Sequence, residues 1–452
     1  MAYEIKYRSE DEMKDSGIEW LGKVPKECEI LPVKRIFKLK RDKSFDKEPK
    51  ILSLTQKGII ERDISNNEGQ IAASYEGYVK VEVGDFVLNP MDLVSGYVDK
   101  SRYEGVISPA YITFTNIDNR INLDFYKFYF QMLYHHKYLF PFGEGVSFVH
   151  RWTLKNEIFL NYPILKNEKI NQHKIANFLD IKTSEFDSII SKKEQLIEKL
   201  EEAKKSLISE VVTGKVKIVD GELVDRKPEE MKDSGVEWLG TIPKDWEVKK
   251  IKHNTYVKGR IGWQGLRADE FTDEGPYLVT GTDFLNKSIN WNNCYHISEK
   301  RYKEAPAIHL KDGDLLITKD GSIGKLAIVE NCPDKAILNS GIFVTRCTNG
   351  EYLTEFMFYI LSSNIFNIYI GLMTTGSTIL HLYQSTFVNF IYPLPNIDIQ
   401  SKLIQYLDNE TNKINSIITK TQKQITKLKE AKQSLISEAV TGKIDLRDWE
   451  II

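Results

Sequence analysis

Two blocks of this sequence occur twice, in the same order. Met13-Lys-Asp-Ser-Gly-Ile-Glu-Trp-Leu-Gly-Lys-Val-Pro-Lys26 returns as Met231-Lys-Asp-Ser-Gly-Val-Glu-Trp-Leu-Gly-Thr-Ile-Pro-Lys244. Lys199-Leu-Glu-Glu-Ala-Lys-Lys-Ser-Leu-Ile-Ser-Glu-Val-Val-Thr-Gly-Lys215 returns as Lys427-Leu-Lys-Glu-Ala-Lys-Gln-Ser-Leu-Ile-Ser-Glu-Ala-Val-Thr-Gly-Lys443. The offsets are 218 and 228 residues. A period this long marks a duplication of whole modules, not a solenoid repeat. Between the blocks, residues 41–160 and 250–390 look unrelated by eye. A constant frame carrying two different inserts suits a protein that holds two different readers at a fixed separation.

The frame contains two long helices. Residues 172–212 and 400–440 have neither Pro nor Gly. Leu179, Phe186, Ile189, Leu196, Leu200, Ala203 and Leu207 recur at spacings of three and four in the first copy. Leu407, Ile414, Ile417, Leu428, Ala431 and Leu435 do so in the second. Gln424 stands where the first copy has Leu196, with Ile425 beside it as a substitute. Such spacing predicts coiled coil, and each helix stops at Thr-Gly-Lys, where Gly214 or Gly442 supplies a left-handed cap. A helix of this length is ~60 Å long. The simplest reading pairs the two helices antiparallel within the chain, about a pseudo-twofold axis; pairing with another chain is the alternative. Lys192, Lys193, Glu201 and Glu202 read as a solvated face.

Both inserts read as mostly β. Strand-like runs at 51–55, 78–82, 86–88 and 110–114 precede a helical stretch at 124–137, and runs at 277–280, 314–318, 326–329 and 341–345 precede one at 354–370. The turns between them are polar. Thr318-Lys-Asp-Gly-Ser-Ile-Gly-Lys325, Gly376-Ser-Thr-Ile-Leu-His381, Lys100-Ser-Arg-Tyr103 and Gly143-Glu-Gly-Val-Ser-Phe-Val-His-Arg151 carry groups that grip phosphates and read base edges. The same composition also serves plain hairpin turns.

Composition narrows the classes. A length of 452 residues suits two to four domains, and 28% charged content is ordinary for globular protein. The N-terminus has no apolar signal core, and no run approaches the ~20 apolar residues of a membrane span. Cys28, Cys294, Cys332 and Cys347 lack metal spacing and read as reduced cytosolic thiols. Net charge of −2 argues against binding nucleic acid through bulk charge, though not against a basic cleft. Neither Gly324-Lys325 nor Gly442-Lys443 completes a phosphate-binding loop. No His/Cys cluster suggests a metal, and the scattered histidines suggest no catalytic site. Ser108-Pro-Ala-Tyr111 reads as a structural turn; it lacks the Asn/Asp and second Pro of the amino-methyltransferase tetrapeptide.

Along essentially its whole length the chain resembles the specificity (S) subunits of type I restriction-modification systems. The resemblance rests on the duplicated blocks at 15–25 and 233–243, on Asn177-Phe-Leu-Asp180 with Gln405-Tyr-Leu-Asp408, and on the two Ser-Leu-Ile-Ser-Glu-x-Val-Thr-Gly-Lys blocks. Gly84-Asp-Phe-Val-Leu-Asn-Pro90 with Ser108-Pro-Ala-Tyr111, and Gly313-Asp-Leu-Leu-Ile-Thr318 with the turn after it, add to it. Many family copies carry Glu-Gln before the helix; here only Gln172 and Gln400 keep the Gln.

The resemblance implies an α+β fold in which two mostly-β target-recognition domains are joined by two long helices forming an antiparallel coiled coil. The divisions would be 1–170, first recognition domain; 171–215, first spacer helix; 216–398, second recognition domain; and 399–445, second spacer helix. It implies a non-catalytic, cytoplasmic subunit that binds a bipartite site on double-stranded DNA and docks two methyltransferase (M) subunits, with restriction (R) nuclease/translocase subunits joining. S-adenosylmethionine, ATP and Mg²⁺ would belong to those partners. Two other classes compete: a coiled-coil scaffold holding two protein-binding modules, and a stand-alone methyltransferase or nuclease. Candidate DNA-contacting residues are Lys100, Arg102, Tyr103, Ser147, His150 and Arg151 in the first insert, and Lys319, Ser322, Lys325, Ser377, Thr378 and His381 in the second.

Overall fold

The computed structural model describes residues 5–46, 48–63, 74–145, 152–260, 266–373 and 381–449. Along the chain come strands β1 (Phe37–Leu39), β2 (Phe86–Leu88), β3 (Val98–Lys100) and β4 (Ile112–Asn116), helix α1 (Leu123–His135) and the long helix α2 (Lys169–Val212). The second copy supplies β5 (Thr255–Gly259), β6 (Leu315–Thr318), β7 (Leu326–Ile328), β8 (Ile342–Cys347), helix α3 (Thr354–Ser362) and the long helix α4 (Ile397–Val440). Two units result, Met1–Glu194 with Gln422–Ile452, and Gln195–Thr421. Each holds one insert and one half of each long helix.

The inserts share a topology that their sequences hide. The first sheet has the order β1-β4-β2-β3 and the second β5-β8-β6-β7, antiparallel throughout. Each central strand enters through a Gly-Asp turn. Asp85 accepts from Glu82 N at 2.7 Å and pairs with Lys40; Asp314 accepts from Lys311 N at 2.9 Å and pairs with Arg346. Gly84 and Gly313 turn there with φ of +96° and +83°, so this shared pair builds a strand entry. The cores differ. Phe86 and Phe114 are register partners and stack at 5.2 Å. Their counterparts Leu315 and Thr345 are joined by a hydrogen bond from Thr345 Oγ1 to the Leu315 carbonyl.

Within each unit the long helices run antiparallel. Lys432 lies 2.7 Å from Asp187, and Lys193 donates to Gln424 at 2.6 Å, in the first unit. Lys204 donates to Asn415 at 3.1 Å in the second. That last pair occupies the positions of Asp187 and Lys432 carried through the 228-residue repeat with the helices exchanged. Leu179, Leu407 and Leu435 of the expected line are buried, but in the middle of the pair the seam is one residue away from it. Ile190 and Ile425 are buried, whereas Ile189, Leu196 and Ile417 are each more than two-fifths exposed and Ala431 is exposed. The first copy offers Ile189-Ile190 and Leu196-Ile197, so either line is apolar. The second offers Gln424-Ile425, and only Ile425 fills the seam. Lys193, expected to be solvated, reaches across the pair to Gln424.

The repeated blocks touch each other. Lys215 N donates to Glu210 O and Gly214 N to Val211 O; Lys443 N to Glu438 O and Gly442 N to Ala439 O. These are Schellman caps, with glycine φ of +69° and +76°. A Cβ on Gly214 would lie 2.4 Å from Pro243 Cγ, and one on Gly442 2.6 Å from Pro25 Cγ. Each helix end therefore seats on a Glu-Trp-Leu-Gly-x-x-Pro block, once per unit. In the second unit the chain runs through this joint by the hairpin Val216–Val219 and Glu222–Asp225, with Arg226 N donating to Lys215 O at 2.9 Å. In the first, the two chain ends meet there. Arg8 N donates to Lys443 O at 3.0 Å, and Arg447 pairs with Glu12 at 2.6 Å.

Two further repeated residues fix each insert to its helix. Gln172 and Gln400 are fully buried. Gln172 accepts from Asn122 N and donates to Asn167 O, both at 2.7 Å. Gln400 accepts from Leu353 N at 2.9 Å and donates to Glu351 O and Pro395 O at 2.9 and 2.8 Å. Asn122 and Leu353 are the N-caps of α1 and α3, so each Gln clamps a short helix to the start of a long one. About two turns on, Asp180 pairs with Lys127 at 3.2 Å and Asp408 with Lys287 at 3.0 Å.

The helix expected at 354–370 is broken. Ser363 is extended and buried between α3 and the helix Asn364–Met373, which are bent by 59°. This pair is apolar because Phe356, Met357, Ile360, Ile365 and Phe366 fill the second unit's core. Among the described residues, no single helix is long and apolar enough to cross a membrane.

Candidate nucleic-acid interface

The turn after β6 is built tightly. Gly324 N donates to Thr318 O at 3.0 Å and Lys325 N to Thr318 Oγ1 at 2.9 Å, with Gly321 and Gly324 in the left-handed region. Ser322 and Lys325 project into solvent. Lys319 lies half-buried, its Nζ 5.0 Å from the centre of the Phe343 ring. His381 joins this turn. Its Nδ1 pairs with Asp320, and Leu382 N donates to Lys319 O at 2.9 Å. Lys319, Ser322, Lys325 and His381 thus share one end of the second sheet. Ser377 and Thr378 lie outside the described residues.

The first unit repeats this arrangement with other side chains. Leu154 N donates to Pro90 O at 2.8 Å, as Leu382 N does to Lys319 O, and Asp92 bridges to Trp152, in parallel where the Asp320–His381 bridge is antiparallel. The segment equivalent to the 319–325 turn is therefore 89–97, between β2 and β3. Sequence reading missed it, because Asn89-Pro-Met-Asp-Leu-Val-Ser-Gly-Tyr97 has little positive or hydroxyl character. Ser147, His150 and Arg151 lie outside the described residues.

Lys100, Arg102 and Tyr103 stand at the opposite end of the first sheet. Lys100 ends β3 beside Phe86, the first residue of β2, and pairs with Asp124. Arg102 and Tyr103 are exposed and line a cleft of about 500 Å³ with Asp99, Lys127, Asp187 and Lys432. Burial raises the Asp99 carboxyl above its ordinary value. These three residues and the 319–325 turn are not topological equivalents.

Neither buried cysteine is activated as a nucleophile. Burial pushes the Cys28 and Cys294 thiols up to about 12. No group of three or more His, Cys, Asp or Glu there is placed to hold a metal. What the sheet ends offer is polar turns on a rigid scaffold, one set per unit.

Residues 243–427 match the family described as the type I restriction modification DNA specificity domain. Over most of its length the chain is similar to type I specificity subunits. The type I restriction enzyme MjaVIII specificity subunit of Methanocaldococcus jannaschii is 23% identical over 383 residues, covering 82% of this chain and 83% of that protein. The EcoBI specificity subunit of Escherichia coli is 21% identical over 295 residues, covering 65% and 59%. The fold is shared with a chain solved in work on assembly and conformational transition of the type I R-M system. Its TM-score is 0.64 at 12% identity, covering 93% of this chain and 99% of that chain.

Proposed function

We propose that this chain is the non-catalytic DNA-reading subunit of a cytoplasmic restriction-modification complex. Each insert reads one half of a bipartite site in double-stranded DNA. The long helices set the gap between the halves and dock two methyltransferase (M) subunits; restriction (R) nuclease/translocase subunits join that core. S-adenosylmethionine, ATP and Mg²⁺ belong to those partners. One observation carries this reading. The same sheet topology occurs twice and presents an equivalent turn at the same sheet end, 89–97 and 319–325, with unlike side chains. A scaffold for one partner type has no need of two unlike faces on one frame.

The test is the adenine-methylation pattern of a host carrying this subunit and its methyltransferase. The expected motif has two short halves and an unspecified gap. Four residues inserted near Leu196 add ~6 Å of helix, close to two base-pair steps of ~3.4 Å. The gap should lengthen while both halves stay the same. An unchanged gap would remove the helices as the ruler. Absence of salt-dependent DNA binding would favour the scaffold reading.

A further inference from the structure

The two units differ where an insert meets the start of its long helix. In the second unit a short hairpin, Phe284–Leu285 with Ser288–Ile289, covers that place. Lys287 in its turn pairs with Asp408 at 3.0 Å and lies 5.2 and 5.1 Å from the centres of the Phe358 and Tyr359 rings. Tyr359 donates to Asp408 at 2.5 Å, and its hydroxyl lies 3.3 Å from that of Thr411. Asp180 and Thr183 are the first-unit counterparts of Asp408 and Thr411 through the 228-residue repeat. Phe128 is the counterpart of Tyr359, each six residues past its N-cap. Phe128 has no hydroxyl to offer Asp180. The first unit's hairpin, Leu52–Thr55 with Gly58–Glu61, is seated elsewhere. Ile59 N donates to Asp99 at 3.1 Å, and a Cβ on Gly58 would overlap that carboxylate. The counterparts of the residues that Lys287 covers therefore line the cleft of about 500 Å³ that follows β3 from Tyr97 to Tyr103.

Charge decides what this cleft takes. Its three carboxylates are engaged: Asp99 accepts from Ile59 N, Asp180 pairs with Lys127 at 3.2 Å, and Asp187 pairs with Lys432 at 2.7 Å. Lys57 and Arg102 also line it and are exposed. Among the described residues neither side chain makes an ion pair or a hydrogen bond. Four cations thus face three carboxylates, with two of the cations uncommitted. Burial raises Asp99, which lowers its negative charge further. An anion offsets such a surplus. Tyr97 and Tyr103 add ring faces, on which a planar ring stacks. The volume is that of a small-molecule site, far more than a lone phosphate needs.

We infer that this cleft of the first unit binds a free nucleoside monophosphate, its phosphate held by Lys57 and Arg102 and its base by the tyrosine rings. A planar guanidinium meets a phosphate through two parallel N–H bonds, and an ammonium adds a point charge. The site is a small-molecule site and stands apart from the DNA-reading function proposed above.

The experiment titrates the full chain calorimetrically with each of the four ribonucleoside monophosphates. At least one should bind with a Kd of about 10 μM to 1 mM. Inorganic phosphate and the matching nucleoside should each bind about tenfold more weakly or worse. Lys57→Ala and Arg102→Ala should each weaken the nucleotide about tenfold or more. Lys192→Ala, an equal charge change at an exposed helix position outside the cleft, should not. Ser184→Trp, at an exposed helix position on the cleft wall, should abolish binding by filling the space. Failure of all four nucleotides to bind below about 10 mM overturns the site. Phosphate binding as tightly as the nucleotide would leave an anion site and overturn the ligand class. Equal losses in Lys57→Ala and Lys192→Ala would assign the binding to bulk charge and overturn the cleft. A short oligonucleotide that binds far more tightly than the monomer, and loses that affinity in Arg102→Ala, would overturn a free nucleotide as the occupant.

Discussion

Replacing Gln400 with Leu tests whether the repeated glutamine is what ties each insert to its helix. The substitution keeps volume and burial but strips three hydrogen bonds, from Leu353 N and to Glu351 O and Pro395 O. A buried polar group left unpaired costs about 1–3 kcal/mol. Partial water access at Glu351 and Leu353 lowers the sum, giving a loss of about 2–5 kcal/mol. Gln400→Glu is the sharper probe. Its carboxylate would face two carbonyls, which raises its folded pKa above the unfolded value. The destabilisation is then largest above that raised pKa and shrinks as pH falls and the acid protonates. Hydrogen exchange locates the effect. Gln400→Leu should speed exchange in 351–361 and 397–407 while leaving 122–135 near wild type, and Gln172→Leu should do the reverse. A loss below ~0.5 kcal/mol, the ordinary range of surface changes, would refute the clamp. So would a pH-independent Gln400→Glu.

The seam predicts that Ile190→Asp, at a buried position, costs about 3 kcal/mol or more, while Ile189→Asp stays within about 0.5; urea melts of the two variants decide. Gly442→Ala should cost about 2–4 kcal/mol from its left-handed backbone and its overlap with Pro25. Gly221→Ala, equally left-handed but with nothing within 4 Å, should cost only the backbone share. Equal melting losses would remove the joint as the reason for glycine. Arg447 holds the Asp445 carboxyl down at about 2. Its contribution is present above the unfolded value and lost as pH falls through the folded one. The melting difference between wild type and Asp445→Asn should therefore be full near pH 6 and vanish towards pH 2; a difference that persists there would assign the effect to something other than charge.

Much of this architecture was legible in the chain. The duplicated blocks, the long helices and their glycine stops, and the strand-rich inserts follow from repetition, periodicity and turn residues. At the middle of the pair the seam lies one residue from the sequence line because the first copy presents paired apolar residues; Gln424 holds the deciding signal. The shared sheet topology was hidden because Phe86 packing on Phe114 and Thr345 bonding to Leu315 solve one backbone problem in different chemistry. Clustering of Asp320 with His381, sixty residues on, is tertiary and has no local mark. Lys100, Arg102 and Tyr103 were chosen for charge and turn character alone, which cannot tell one end of a sheet from the other.

The most direct measurement exchanges residues 41–160 for the equivalent insert of a relative and reads the host methylome with the same methyltransferase. The account predicts that one half of the methylated motif changes while the other half is retained. A motif altered in both halves, or in neither, would contradict two independent readers on a common frame.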